Sequence, residues 1–142
     1  IEGGNIPELA GYDGLRREVK YGKNPRIDIL LEADGKPPCY VEIKNVHLKR
    51  NGCAEFPDSV TARGTKHLIE MSDMVAQGCR AVMVYLVQRD DCDRFTIAAD
   101  LDPVYAETLT KALADGVEAI CYSCTLTTEA ITLDRALPVD FG

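Results

Sequence analysis

Two neighbouring stretches, Arg26-Ile-Asp-Ile-Leu-Leu-Glu32 and Cys39-Tyr-Val-Glu-Ile-Lys-Asn-Val46, decide the fold. Both alternate in the manner of β-strands, and Ala33-Asp-Gly-Lys-Pro-Pro38 between them is a turn. In the first, Ile27, Ile29 and Leu31 lie on one side and Asp28 and Leu30 on the other. In the second, Glu42 and Lys44 are two apart, so a strand directs them to the same face. With the hairpin centred near Gly35, Asp28 and Glu42 fall nearly opposite each other. Two carboxylates at cross-strand distance repel unless a cation lies between them. A hard divalent ion such as Mg²⁺ or Mn²⁺ satisfies them and keeps waters for chemistry. Lys44 then stands beside the ion, placed to polarise a water or to stabilise charge on a phosphate.

Outward from this hairpin the pattern extends in both directions. Leu15 to Tyr21 alternates as a further strand, and Gly22-Lys-Asn-Pro25 turns it into the next, giving a three-stranded antiparallel meander. Ile6 to Ala10, stopped by Gly11, reads as the end of a short helix. After a loop from Lys49 to Pro57 the period changes. Asp58 is placed to cap a helix whose apolar positions are Val60, Leu68, Met71, Met74 and Val75, running up to Gly78. Cys79 to Val87 is a strongly apolar strand, Asp90, Asp91 and Asp93 mark a solvated loop, and Asp102-Pro103 opens a helix from Val104 to Ala114. Val117 to Leu126 is a fifth strand, and Ile131 to Val139 closes the chain. The order α-β-β-β-α-β-α-β predicts an α/β fold, a mixed central sheet flanked by helices.

The 142 residues make a single domain, and 46% hydrophobic with 27% charged residues is the profile of a folded globule. No apolar run approaches the roughly 20 residues of a membrane helix. The net charge of -7 excludes a uniformly basic nucleic-acid binder. Its distribution is uneven: residues 1–80 carry 12 basic and 12 acidic side chains, residues 81–142 carry 4 and 11, and residues 16–66 alone carry 11 and 7. The segment holding the hairpin is therefore locally basic, and anion binding is open to it. Of the six cysteines, at 39, 53, 79, 92, 121 and 124, Cys39, Cys79 and Cys121 lie in or beside apolar strand patterns. They read as small hydrophobes in a reducing cytoplasm, and the lone Cys121-Tyr-Ser-Cys124 has no second pair with which to build a zinc site.

The arrangement D-(x13)-E-x-K on a hairpin resembles the core of the PD-(D/E)xK nucleases, and the restriction-endonuclease-like fold of that group matches the element order above. A longer resemblance rests on Glu8-Leu-Ala-Gly-Tyr12, Glu18-Val-Lys-Tyr-Gly22, Arg26-Ile-Asp28, Val41-Glu-Ile-Lys-Asn-Val46, Phe56-Pro-Asp-Ser-Val-Thr-Ala-Arg-Gly-Thr-Lys-His-Leu68 and Arg80-Ala-Val82, with Gly116 to Ile120 and Leu137 to Val139 in the tail. Together these are similar to the sugar fermentation stimulation protein A family. That resemblance implies a cytoplasmic DNA-binding protein in which residues 1–142 form the C-terminal PD-(D/E)xK nuclease-like domain, an N-terminal OB-type domain lying outside this chain. It implies Asp28, Glu42 and Lys44 as catalytic residues. Asp28 and Glu42, with the Ile43 carbonyl, would hold Mg²⁺ or Mn²⁺. A further carboxylate of this fold is either Glu8, by element order, or Glu18, by strand position, with Glu18 preferred.

Arg16, Lys20, Arg26, Lys49, Arg63 and Lys66, together with Lys23 and Arg50, flank this site and suit contacts with DNA phosphates. Arg63 and Lys66 are three apart and share a helix face. His47 and His67 read as edge or helix-surface histidines, and the tyrosines as packing residues. Two functions stay open: a metal-dependent DNA endonuclease, or a DNA-binding regulator of sugar-metabolism genes that does not cut. Self-association as a homodimer is open as well, and no membrane partner is expected.

Overall fold

A computed structural model describes residues 14–20, 26–33, 35–50, 52–88, 94–126, 131–137 and 139–140, and the backbone alone for 14–20, 26–28, 124–126, 131–136 and 139–140. The helix end at Ile6 to Ala10, with Glu8, the turn with Lys23, and the loop with Asp90, Asp91 and Asp93 lie outside the described residues. The strands are β1 (Gly14–Lys20), β2 (Arg26–Glu32), β3 (Cys39–Val46), β4 (Leu48–Arg50), β5 (Cys53–Phe56), β6 (Arg80–Val87), β7 (Arg94–Ile97), β8 (Glu118–Leu126), β9 (Ile131–Ala136) and β10 (Val139–Asp140). The helices among these residues are α1 (Ala62–Ala76) and α2 (Pro103–Asp115), and neither is long and apolar enough to cross a membrane.

The main sheet has the order β1-β2-β3-β6-β8-β9. Its first three strands form the antiparallel meander. β3, β6 and β8 run parallel, each crossover containing a helix, and β9 returns antiparallel beside β8. The sheet is thus mixed, and the α/β architecture is the one the sequence pattern leads to. β6 is central and reads as a continuous apolar run because both of its faces are buried: Ala81, Met83, Tyr85 and Val87 enter one core, Val82 and Val84 the other.

Two features depart from the sequence reading. Residues Lys49 to Pro57 are not a plain loop: β4 and β5 pair antiparallel, Leu48 with Glu55 and Arg50 with Cys53, about a two-residue connection in which Gly52 has φ 77. Asn51-Gly52 is the favoured dipeptide for such a hairpin, but strands of three and four residues are too short for alternation to stand out. They join β7 and β10 in a second sheet of order β10-β7-β5-β4. Likewise Asp58 does not cap α1. Thr61 does, its side chain accepting from the Gly64 N–H at 3.1 Å, while Asp58 is exposed and Val60, expected on the helix, precedes it with 74% exposure.

α1 packs on the main sheet through Leu68, Met71 and Met74 and lies against α2. The two helices start side by side. Asp102, buried, caps α2 by accepting from Tyr105 N–H at 3.0 Å, and its other oxygen accepts from Thr61 N–H at 2.8 Å, tying the start of α1 to the start of α2. Gly64 allows the close approach, since a Cβ there would stand 3.2 Å from the Tyr105 ring. Behind it Tyr85 and Tyr105 share a buried hydroxyl–hydroxyl hydrogen bond of 2.6 Å, flanked by Phe56 and Phe95. Cys39, Cys53, Cys79 and Cys121 carry free thiols, Cys39, Cys53 and Cys121 fully within the core.

Candidate metal centre

β3 alternates between the two cores. Cys39 and Val41 belong to the one distant from α1, whereas Tyr40 and Val46 pack into the core beneath α1. Glu42 and Lys44 share the parity of Tyr40 and Val46, so the strand turns a carboxylate and an amine toward the helix. Glu42 is buried, with 3% exposure, a place where an ionised carboxylate is costly without partners. Its Oε1 has two basic neighbours: Lys44 Nζ at 3.5 Å and His67 Nδ1 at 3.0 Å, the latter at ion-pair distance rather than in an aligned hydrogen bond. Its Oε2 is buried and has no hydrogen-bond partner among the described residues. A carboxylate with one oxygen neutralised and the other bare and enclosed is suited to hold a hard cation.

Backbone register supplies the rest of the geometry. β2 and β3 pair Leu31 with Cys39, Leu30 with Tyr40 and Ile29 with Val41, and Asp28 and Glu42 each lie one residue beyond that last pair. β1 and β2 pair Arg17 with Ile29 and Val19 with Ile27, which sets Glu18 opposite Asp28. Glu18 and Asp28 thus face each other across β1 and β2, and β3, which carries Glu42, is the next strand of the sheet. Glu8 lies outside the described residues, as do the side chains of Glu18 and Asp28. Among the described residues no three His, Cys, Asp or Glu side chains gather round one point.

The field of the site reaches α2. Tyr105 is held far above the usual tyrosine range, first by burial and then by the negative charges of Glu42 and Asp102, against which the hydrogen bond with Tyr85 acts.

Known proteins share this fold and sequence. Residues 1–130 match the family described as the sugar fermentation stimulation protein RE domain, SfsA, RE standing for restriction-endonuclease-like. The chain belongs to this family. A sugar fermentation stimulation protein homolog from Paramagnetospirillum magneticum is 64% identical over 140 residues, covering 99% of this chain and 59% of that protein. One from Rhodospirillum centenum is 62% identical over 138 residues, covering 96% and 59%. Among solved structures, that of Pyrococcus furiosus SfsA in complex with Ca²⁺ superimposes with a TM-score of 0.89 at 29% identity, covering 98% of this chain and 60% of that one. The chain thus spans about three fifths of the length of these SfsA relatives.

Within this SfsA domain the residues singled out in the sequence separate into groups. Glu42 and Lys44 meet at one point, and Asp28 and Glu18 lie on the two strands before β3. Ile43 points its side chain away, toward the opposite core. Arg63 and Lys66 are exposed on α1, Lys49 is half-buried on β4, and Arg16, Lys20 and Arg26 are described by backbone alone, Lys20 pairing with Arg26 at one end of the β1–β2 ladder. Arg50 is a correction. Its guanidinium is engaged by Glu55, at 2.7 Å to each carboxylate oxygen, and by Asp100, at 2.6 and 2.7 Å, so it is a structural residue of the second sheet rather than an open phosphate contact. His67 is the second correction. It is 2% exposed, facing Glu42 and not solvent. The signal was present in the sequence: Gly64, His67, Leu68, Met71 and Met74 all lie on the buried stripe of α1, at helical spacing, and a histidine inside that stripe calls for a buried partner.

Proposed function

We propose that this domain is a divalent-metal-dependent DNA nuclease, and the observation that carries this reading is the enclosed Oε2 of Glu42, without a hydrogen-bond partner among the described residues, on the carboxylate beside Lys44. Asp28 and Glu42, with the Ile43 carbonyl, hold Mg²⁺ or Mn²⁺. The complex of Pyrococcus furiosus SfsA with Ca²⁺ supports a divalent site in this fold. When bound, the ion acts as a Lewis acid toward a phosphodiester oxygen and a water. Glu18, facing Asp28 across the β1–β2 ladder, is the third acid of the site. Lys44, 15% exposed, sits at the border between the buried carboxylate and solvent. From there its ammonium orients the attacking water or stabilises the added negative charge of the phosphorane. Arg16, Lys20, Arg26, Lys49, Arg63 and Lys66 contact phosphates and position the strand without reading bases. The remaining length of the relatives would add the OB-type domain, and with it any preference among DNA structures.

A second reading, a DNA-binding regulator that does not cut, draws on the name of the relatives, which describes stimulation of sugar fermentation. The two separate in one experiment. The protein is incubated with plasmid and with single-stranded DNA in Mg²⁺, Mn²⁺ or EDTA. Metal-dependent nicking that falls at least 100-fold in Lys44→Ala and in Asp28→Asn is the expected result. Retention of DNA by both variants with no cleavage under any metal would establish the regulator instead.

A further inference from the structure

α1 carries a histidine where its pattern calls for an apolar residue, and the fold uses several contacts to hold that histidine still. His67 is 2% exposed, between Gly64 one turn before it and Met71 one turn after, with Leu68 beside it. The start of α1 is clamped by the Thr61 cap and by Asp102 from α2, and Gly64 seats the helix against Tyr105. The imidazole has little freedom, unlike the four-carbon stem of Lys44, whose Nζ lies at 3.5 Å from the same oxygen that His67 Nδ1 approaches to 3.0 Å. Both basic groups sit at Oε1. Oε2 is the one left for something else.

We infer that His67 is a positioning residue for the metal centre: its Nδ1 holds Oε1 of Glu42, fixes the rotation of the carboxylate, and thereby presents Oε2 to the cation. This rests on the proposed function above, in that Glu42 is taken as a ligand. The physical reason is general. A carboxylate ligand free to rotate must lose that freedom when the ion binds, and a neighbour that holds the second oxygen removes the loss in advance. Partners of this kind alter metal affinity by about 10–100-fold when removed. Lys44 alone does not serve, because in the proposed reaction its charge is needed at the water or the phosphate.

The test is calorimetric titration of the full-length protein with Ca²⁺ and with Mn²⁺, without DNA, so that binding is read apart from cleavage. Wild-type protein binds and Glu42→Gln abolishes binding. His67→Ala weakens both ions by about 10–100-fold. The conservative variants then discriminate. The side-chain amide nitrogen of Asn overlays Nδ1 of histidine, whereas that of Gln overlays Nε2. His67→Asn therefore restores affinity to within a few-fold of wild type and His67→Gln does not, while the thermal unfolding of both in EDTA is alike. His67→Ala or His67→Gln with wild-type affinity overturns the inference and leaves the metal centre standing. Equal loss in the Asn and Gln variants overturns it too, since the role is then filling space. If wild-type protein binds neither ion, the metal centre itself falls, and the role of His67 with it.

Discussion

Arg50 and Asp100 show how little a single residue's charge says before its partners are known. In sequence Arg50 adds to a basic segment, but its guanidinium is shared between Glu55 and Asp100, fifty residues apart along the chain from the latter. Asp100 is held at about 2 by hydrogen bonding from Arg50, and Arg50 is raised further above its already high range by Asp100 first and Glu55 next. Because the folded Asp100 ionises below the ordinary aspartate value of about 4, the pair favours the folded state above that pH, and the advantage is lost as pH falls toward 2. In Arg50→Ala the Asp100 carboxyl should titrate near 4 again, as followed by carboxyl-carbon NMR. Tyr85 and Tyr105 behave in the opposite sense. Burial pushes both hydroxyls well above the usual tyrosine range, so they add stability below pH about 10 that fades at higher pH as the unfolded tyrosines ionise. Alkaline titration should show their phenolate absorbance only together with unfolding. Tyr85→Phe should cost about 1 kcal/mol by stranding the Tyr105 hydroxyl, and adding Tyr105→Phe should recover part of it.

At the scale of elements, the paired starts of α1 and α2 form the joint that sets His67 over Glu42. Asp102→Ala removes the cap of α2 and takes the partner of the half-buried Thr61 N–H in one step, so a loss on the order of 2–3 kcal/mol is expected in urea unfolding. Gly64→Ala should also destabilise the protein, by about 1–3 kcal/mol despite the better helix propensity of alanine. Its Cβ would stand 2.9 Å from the Thr61 hydroxyl and 3.2 Å from the Tyr105 ring. Both helices were legible in the sequence because their apolar residues recur at helical spacing, and Asp102-Pro103 is a start signal with a mechanism: the carboxylate caps and the proline needs no N–H partner. The start of α1 was less so. Asp58 and Thr61 are both good caps by residue type, and the choice fell to Thr61 because Asp102, distant in sequence, takes its backbone N–H. The meander and β6 were readable for a similar local reason, strict alternation in one case and an unbroken apolar run in the other. β4, β5, β7 and β10 were not, since strands of two to four residues exist only by pairing with partners that sequence does not reveal, as Phe56 pairs with Ile97.

For the molecule as a whole, the net charge of -7 and the proposed contact with DNA are reconciled by segregation: the acidic excess belongs to residues 81–142 and the candidate site to the other half. DNA affinity should accordingly fall steeply with salt, its logarithm linear in that of salt concentration, and each of Arg63→Ala and Lys66→Ala should reduce the slope by about 1. Arg50→Ala should leave the slope unchanged, because that guanidinium is already held by two carboxylates. By itself the sequence determined the α/β class, the meander, the central strand and the presence of Glu42 and Lys44 on one face of β3, because these follow from periodicities of two and 3.6 acting over short distances. Only the tertiary structure decided that Oε2 of Glu42 is enclosed and without a hydrogen-bond partner among the described residues, that Arg50 is engaged, and that His67 rather than Lys66 turns inward to meet the carboxylate. Each of these depends on which face α1 lays on the sheet and on pairings across the whole chain, and burial and partnership of that kind belong to no local stretch of residues.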